Sequence, residues 1–443
     1  MKKSRFVMQV FLLAVLSILF ITERYTAEKA VDMSRHITTK SLNSPLKSHL
    51  REHRRLSKHG DKVSSILNKM KAAGLPVYDD EFVPYFDDSR HNGAEDLKAA
   101  LEMISQSKEG SAIYDLSALW KAKSKLSSEE LKKISDLLND ASVSELLDLA
   151  RQASEKDYLA FGLDYSKGPG LELPHLGAMR NLMRIISLKS FADLEEGRNV
   201  EAVQNLNVAL KLNSMPGDDI TLIGELVENA VTGILNENVN ELRTAGADLS
   251  ETYKILENSL AQAHENQLKT IDGERHYFGS WFFDKVLNSP DDLQKEELKS
   301  LFGKEINDIS PAEVKEQYAN YLEVMFEVRE LMEEPYYLNA EKLKAKEKNE
   351  PKSGLLKELL PAYSTIYKKF HESQSLMKKN LLAMKVGEYE KKYGAKPERL
   401  DILNVPEDYL IDNITGKPFL LISNTVGDVV ITHVDDKTGG VKL

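Results

Sequence analysis

The sequence predicts a mainly α-helical protein made of packed helical hairpins, with an N-terminal transmembrane helix and a small C-terminal β-hairpin. Three observations lead to this fold class. Gly (23) and Pro (14) are scarce in the 443 residues, while Leu, Glu, Lys and Ala dominate, and this composition favours helices. Apolar residues recur at helical spacing through most of the chain. Short β-branched runs occur only near the C-terminus.

The first element is the apolar run Phe6–Ile21, which follows the basic start MKKSR. Its length lies between the apolar region of a signal peptide, about 7–15 residues, and a membrane-spanning helix, about 17–25 residues. The following residues, TERYTAE, contain no small-residue cleavage pattern. We therefore favour an uncleaved anchor in residues 1–33 over a removed signal. The expected location is the cell membrane, in a single pass, with the bulk of the chain on the periplasmic side.

The overall composition excludes several classes of function. The net charge is −11, so we expect no nucleic-acid partner. The chain has no cysteine, which rules out disulfides, thiol catalysis and thiolate metal sites.

Residues 34–92 predict a basic helix followed by an acidic, aromatic loop. The helix is expected to start at Pro45 and to end at Gly74. Apolar residues recur along it every seven positions, at Leu56, Val63 and Met70. We interpret it as a solvated stalk, and contact with anionic lipid headgroups or an acidic partner is the alternative. The stretch Tyr78–Asp88 is expected to be a loop whose aromatic side chains pack on the body.

In residues 93–340 one predicted helix follows another. Ser127 and Glu130 have the spacing of a capping box. The clearest internal motif lies between Glu195 and Leu212, where Gly197 ends one helix and small residues, Ala202 and Ala209, let the next one pack closely. This motif resembles the turn and second helix of a tetratricopeptide repeat, but a second copy is only faint. We expect hairpins packed side by side, solenoid-like, without a regular period.

The C-terminal part begins with a charged break. Lys342–Lys352 (KLKAKEKNEPK) is predicted to be a linker or an exposed loop. Residues 355–443 form the last segment, in which a long helix is expected to end at Gly394. The runs Phe419–Ile422 and Val429–Thr432 then predict a β-hairpin.

Searches for chemical motifs find no complete set. Neither phosphate-cradling glycine pattern is present. His264-Glu265 and His371-Glu372 each begin like a zinc-protease helix, but neither has the second histidine four residues on. We assign no catalytic residue, no cofactor and no metal site on these grounds.

The most chemical-looking stretch is Asp272–Tyr277, which leads into an aromatic run. Successive residues on a helix point in different directions, so its acid, guanidinium and imidazole are not expected to serve one pocket. We expect Glu274 or Arg275 to pair with a neighbouring helix, with Glu225 or Arg184 as partners, while a ligand site is the alternative. The candidate buried polar cluster comprises His175, Arg184, Glu225, Glu274 and Arg275. Of these, His175 is expected to cap or pack a helix start.

Several stretches resemble envelope-anchored helical-hairpin proteins of planctomycete-like bacteria, a group with no established activity. The resemblance lies in Asp164–Pro169, Leu173–Leu176 and the Glu195–Leu212 motif, and also in Gly273–Arg275 with its aromatic run and in the tail. It covers about residues 145–290 and 375–440 of the chain. It implies an envelope location.

The tail is also similar to the C-terminal part of type II secretion pseudopilins, on Lys396–Leu400 and Asp412–Phe419. That resemblance implies calcium binding near the end, at Asp435 and Asp436. The chain departs from the family at its start, because pseudopilins have a Gly before the apolar helix and a Glu five residues into it. Here Arg5 precedes the run, and Val10 stands inside it.

The favoured hypothesis is a membrane-anchored envelope protein whose helical-repeat-like body binds protein partners or scaffolds an assembly, with no defined catalytic activity. One alternative is a hydrolase of envelope polymers that uses paired carboxylates, since such pairs need no local motif. The other is an accessory part of a type II secretion or pseudopilin-like system.

Overall fold

A computed structural model describes residues 59–82, 89–120, 127–288, 310–350, 355–423, 429–432 and 441–442. Within these residues the chain forms fourteen α-helices and one small antiparallel sheet, so the mainly α-helical prediction is confirmed. The described residues divide into two compact units. Unit 1 holds residues 89–161 and 172–216, and unit 2 holds residues 59–82, 162–171 and 217–442. The predicted body, residues 93–340, therefore contributes to both units.

The helices are, in chain order, α1 Asp61–Ala72, α2 Ala94–Gln106, α3 Ala112–Leu119, α4 Ser128–Leu138, α5 Ala141–Ser154, α6 Pro174–Glu195, α7 Asn199–Ser214, α8 Leu222–Thr244, α9 Ser250–Gly273, α10 Trp281–Asn288, α11 Pro311–Met332, α12 Tyr336–Asn349, α13 Leu355–Leu359 and α14 Tyr363–Tyr393. A π-helical segment, Glu274–Ser280, joins α9 to α10. The strands are β1 Leu420–Ser423, β2 Val429–Thr432 and β3 Val441–Lys442.

Unit 1 consists of α2 to α7. Helix α2 packs against α5 and α6, α3 packs against α4 and α6, and α6 forms a hairpin with α7. The hairpin turns at Gly197, whose φ of +77° favours glycine. Ala202 and Ala209 are fully buried, and the Ser190 hydroxyl donates to the carbonyl of Ala202 at 2.8 Å. The helix boundary and the close small-residue contacts predicted at this motif are thus confirmed, as is the capping box at the start of α4.

A buried carboxylate stabilises the α6–α7 hairpin. Asp193 has no exposed surface, and it accepts hydrogen bonds from Lys189 Nζ at 2.5 Å, Arg198 Nε at 3.0 Å and Asn205 Nδ2 at 2.8 Å. These three donors lie on α6, in the turn and on α7, so one side chain ties both helices to the turn. Charge-assisted bonds of this kind are among the stronger hydrogen bonds in proteins.

We expect Asp193→Ala to lower the free energy of unfolding by about 2–3 kcal/mol, because it leaves two cations and a buried amide without their acceptor. The value is below that for a fully buried pair, since Arg198 is partly exposed and can be hydrated. Urea denaturation measures the change. Glu196→Ala, at an exposed position of the same turn, is the control and should change stability by less than about 0.5 kcal/mol. Equal effects of the two substitutions would contradict this role of Asp193.

Helix α1 belongs to unit 2 and packs against α11. Its apolar stripe, Val63, Leu67 and Met70, is buried in the core. The preceding residue, Gly60, has a φ of +101°, which interrupts a helix. The predicted continuous helix from Pro45 is therefore wrong at Gly60, and residues 61–72 are a packed helix and not a solvated stalk. Residues 45–58 lie outside the described part of the chain.

The predicted charged linker is largely a helix. Residues 342–349 belong to α12, which packs against α11 and α14. Leu343 is fully buried, Lys346 pairs with Glu327, and Glu347 accepts a hydrogen bond from the Ser364 amide at 3.0 Å. Lys, Glu and Ala are good helix formers, and one buried leucine with two cross-helix polar contacts is enough to hold the segment against the body. The linker prediction was wrong for these residues.

The C-terminal part of unit 2 is organised by α14, which packs against α8, α9 and α12 and contacts β2 and β3. It ends at Gly394, whose φ of +72° gives the left-handed cap expected there. Strands β1 and β2 pair antiparallel, with Leu420 opposite Thr432, so the predicted hairpin is confirmed. The third strand, β3, pairs antiparallel with β2 and was not predicted.

None of the helices in the described ranges combines the length and the apolar character that crossing a bilayer requires. The predicted anchor, Phe6–Ile21, lies outside the described residues. The same holds for Asp435 and Asp436, the predicted calcium ligands, and for part of the predicted acidic loop. Of that loop, Tyr78 and Phe82 are described and are buried, as expected.

Candidate functional site

The predicted polar cluster is divided between the two units. His175 and Arg184 lie on α6 of unit 1, and the other three residues lie in unit 2. His175 follows Pro174 at the start of α6 and stacks on Phe161 with ring centroids 4.3 Å apart, so it packs as predicted. The guanidinium of Arg184 donates to Asn181 Oδ1 at 3.0 Å.

The most unusual local feature of unit 2 is the π-helical segment Glu274–Ser280. Such segments are rare and occur frequently at functional sites. Two glycines fit it to its surroundings: a Cβ at Gly273 would overlap the carbonyl oxygen of Ile220, and a Cβ at Gly279 would overlap the ring and hydroxyl of Tyr321. The wider turn leaves three consecutive side chains buried, those of Arg275, His276 and Tyr277.

These three side chains hold one piece of chain, residues 76–82. Arg275 Nη2 donates to the Pro76 carbonyl at 2.6 Å, His276 Nε2 lies 2.6 Å from Asp79 Oδ1, and Tyr277 Oη donates to the Asp79 carbonyl at 2.9 Å. Phe82 stacks on His276 with centroids 4.2 Å apart. The expectation that the acid, guanidinium and imidazole of this stretch would not serve one site was thus wrong for Arg275 and His276, because both bind the same short segment, at Pro76 and Asp79.

A second piece of chain, Tyr165–Gly170, packs against the same π-helical segment. Tyr165 stacks on Tyr277 with centroids 4.2 Å apart, and Trp281 Nε1 donates to the Ser166 carbonyl at 2.7 Å. Gly168 lies against the indole of Trp281, with a φ of +53° and no room for a Cβ. The Tyr165 hydroxyl donates to the Asp218 carbonyl, and burial raises its pKa. Residues 165–169, part of one of the stretches in which the sequence resemblance lies, therefore pack against the π-helical segment.

Asp272 neutralises the buried arginine. Its Oδ1 lies 3.6 Å from Arg275 Nη2, and its Oδ2 accepts from Arg329 Nε at 3.1 Å. Both Asp272 and Arg275 are almost fully buried. Glu274 or Arg275 was predicted to pair with a neighbouring helix through Glu225 or Arg184. For Arg275 this is wrong: its partners are the carboxylate of Asp272, one helical turn before it, and the carbonyl of Pro76. Sequence reasoning could place Asp272 in the cluster but could not identify Arg329, which lies on α11.

Two carboxyl groups titrate near neutral pH. Burial raises the pKa of Glu274 to about 7, although its carboxylate accepts a hydrogen bond from the Leu222 amide at the start of α8. Burial also raises the pKa of Glu225 to about 7, against the opposing effect of its hydrogen bond from Asn229. Burial and the charge of Glu225 raise the pKa of Glu228 as well. Carboxyl groups with such values are suited to exchange protons at neutral pH.

The stability of the protein should depend on pH through Glu274. Its pKa is 4.5 in the unfolded chain and about 7 in the folded one, so the folded state binds the extra proton between these values. The stabilisation is complete below pH 4.5 and is lost as the pH rises towards 7, by at most about 1.4 kcal/mol per pH unit. Urea denaturation at pH 5, 6, 7 and 8 should show a smaller loss in Glu274→Gln than in the wild type. Parallel curves for the two proteins would contradict the burial of this carboxyl group.

Among the described residues, no group of three or more histidine or acidic side chains is arranged to hold a metal ion. Two features of the site bear on its chemistry. It holds residues 76–82 and 165–170 against the π-helical segment, and it presents carboxyl groups that titrate near pH 7.

Comparison with known proteins adds no family to this description. No family model matches the chain, and neither a curated protein nor a solved structure matches it.

Proposed function

We propose that this chain is a bacterial envelope protein, anchored by Phe6–Ile21, whose helical body binds a protein partner or scaffolds an assembly. The observation that supports this best is the arrangement of unit 1, in which α2 to α7 follow one another as packed helices and α6 and α7 form a hairpin. Stacked helix pairs build the extended surfaces that such proteins use to bind partners.

The exposed apolar side chains of unit 1 indicate where contact would occur. Val200, in the first turn of α7, is 67% exposed, and Tyr114 on α3 is 44% exposed. Isolated apolar side chains are ordinary on protein surfaces, so they carry less weight than the hairpin arrangement itself. They do supply positions at which partner binding can be disturbed without touching the core.

Affinity isolation from detergent-solubilised membranes tests the proposal. The wild-type chain should retain a specific protein at a constant ratio, and Val200→Glu combined with Tyr114→Glu should reduce its recovery. Glu341→Lys on α12 of unit 2, where the side chain is 87% exposed, is the matched surface control and should leave recovery unchanged. Recovery of the chain alone and monomeric would contradict the proposal.

The proposed location has its own test. After cell fractionation the protein should remain with membranes under alkaline carbonate extraction, and added protease should digest it in spheroplasts but not in intact cells. Release into the soluble fraction by carbonate would contradict the anchor. Resistance to protease in spheroplasts would contradict the extracytoplasmic side.

A second candidate function, hydrolysis of an envelope polymer, is favoured by one observation, the raised pKa of Glu225 and Glu274. A general acid at neutral pH needs a carboxyl group of this kind. Purified protein incubated with cell-wall polysaccharide should then release reducing ends, and Glu225→Gln or Glu274→Gln should abolish the release. Absence of any release by the wild-type chain would exclude this candidate.

A further inference from the structure

Two histidines on different helices lie side by side in unit 2. His264 belongs to α9 and His371 to α14, and their ring centroids are 6.3 Å apart. Helix α9 packs on α14 here, and one turn further along each helix Gln374 Nε2 donates to Gln267 Oε1 at 3.0 Å. Polar side chains therefore meet at two successive turns of the contact between α9 and α14.

His371 is buried without a hydrogen bond. The residue is 2% exposed, and neither ring nitrogen has a hydrogen-bond partner among the described residues. Gln374 lies beside the ring, but its amide donates to Gln267 at 3.0 Å and accepts from Asn413 at 2.6 Å. A protonated imidazole carries two N–H donors and a charge, so it would need two acceptors that this site does not offer. A buried charge without such partners costs far more free energy than a neutral ring.

Two cations face the histidine pair. Lys378, on α14, acts on His371, and Arg329, on α11, acts on His264. Lys378 is 5% exposed and the side chain of Arg329 is 12% exposed, so water screens their charges poorly. A proton on His264 also opposes a proton on His371. Acid would therefore add two positive charges to a site that already holds two.

The acidic groups near the rings compensate only in part. Asp412, which precedes β1, acts on His371, but its carboxylate already accepts hydrogen bonds from two other side chains. Glu333 and Glu334, which follow α11, act on His264. The remaining titratable neighbours of His371 are two tyrosines, Tyr367 on α14 and Tyr336 on α12, which bring aromatic rings and no charge.

These surroundings couple the contact to pH. Burial, followed by the nearby charges of His264 and Lys378, lowers the pKa of His371 from its ordinary value of 6.5 to about 3. Burial also lowers the pKa of His264, which is partly exposed. Separation of α9 from α14 would return both rings to water and to their ordinary pKa. Between pH 6.5 and pH 3 the opened state then binds more protons than the closed state, so acid favours opening. Above pH 6.5 both states are neutral at His371, and the stability of the contact is retained in full.

We propose that the contact of His264 with His371 is an acid-sensitive switch, in which protonation of the two rings opens the packing of α9 on α14. The geometry that carries it is a pair of adjacent imidazoles facing two cations, with one ring buried and unpartnered. Histidines that must take up a charge in such places act as pH sensors in proteins. Because α14 also holds residues 408–413, through Lys378 and Gln374, opening would loosen the C-terminal segment as well.

Amide hydrogen exchange of the full chain between pH 7.5 and pH 4.5, corrected for the intrinsic exchange rate at each pH, tests the proposal. Protection of the amides of residues 260–271 and 367–378 should fall by about 20- to 30-fold between pH 6 and pH 4.5, since each pH unit changes the opening constant up to tenfold. It should return on neutralisation. Amides of α6 and α7 in unit 1 are the internal reference and should keep their protection. Unchanged protection at the contact, or an equal loss in both sets of amides, would overturn the proposal.

Substitutions separate the switch from a general sensitivity to acid. His371→Leu removes the titrating ring and should abolish most of the acid-induced loss of protection, and its melting temperature at pH 7.5 shows that it folds. His264→Gln, at a partly exposed position, removes the neighbouring charge without touching the buried ring and should reduce the loss. The control is His91→Gln, an exposed histidine of unit 1 that pairs with Asp157 and should respond as the wild type does. A response like that of the wild type in folded His371→Leu, or in His264→Gln, would overturn the proposal.

Discussion

Gly279→Ala is expected to lower the free energy of unfolding by about 3 kcal/mol, the upper end for overpacking of a rigid core. The added Cβ would overlap the hydroxyl and ring carbons of Tyr321, which is fully buried and packs against the ring of Phe283. Urea denaturation followed by circular dichroism measures the loss.

Two glycines in ordinary helices provide matched controls. A Cβ at Gly233 on α8 or at Gly387 on α14 has no described atom within 4 Å. Alanine at either position should stabilise the protein by about 0.5–1 kcal/mol, because glycine is the poorer helix former. If Gly279→Ala behaved like these two, the close approach of the π-helical segment to Tyr321 would be wrong.

Asp272→Ala is expected to cost about 3–5 kcal/mol, the range for removing one partner of a buried ion pair. The substitution leaves Arg275, which is 1% exposed, without an anionic partner, and takes one from Arg329. Thermal and urea denaturation should both show the loss. Asp148→Ala, which removes a surface pair with Arg151 in unit 1, should cost at most about 0.5 kcal/mol. Similar costs for the two substitutions would contradict the structural role of Asp272.

Local signals in the sequence predicted local features of the fold. The features that were predicted correctly each depend on residues within two helical turns of one another. They are the turn at Gly197, the close contacts of Ala202 and Ala209, the Ser127 capping box and the Gly394 cap. The β-hairpin depends on two short runs with a turn between them. For such features the decisive contacts lie within the window that a sequence pattern spans.

Long-range contacts could not be predicted in the same way. Arg275 and His276 bind residues almost two hundred positions earlier in the chain, and His264 meets His371 only because α9 packs on α14. The charged composition of residues 342–352 indicated a linker, yet Tyr336, Asn339 and Leu343 have helical spacing and are buried. The prediction for this segment relied on its charged composition. The buried positions at helical spacing, which hold the segment against the body, were overlooked.

Photo-crosslinking in living cells tests most directly the central claim that unit 1 binds a protein partner. A photoreactive amino acid at Val200 should give one discrete crosslinked product in the membrane fraction, containing a different protein. The same residue at Glu341, an exposed position of unit 2, should not give that product. Absence of any product at Val200, or the same products at both positions, would contradict the account.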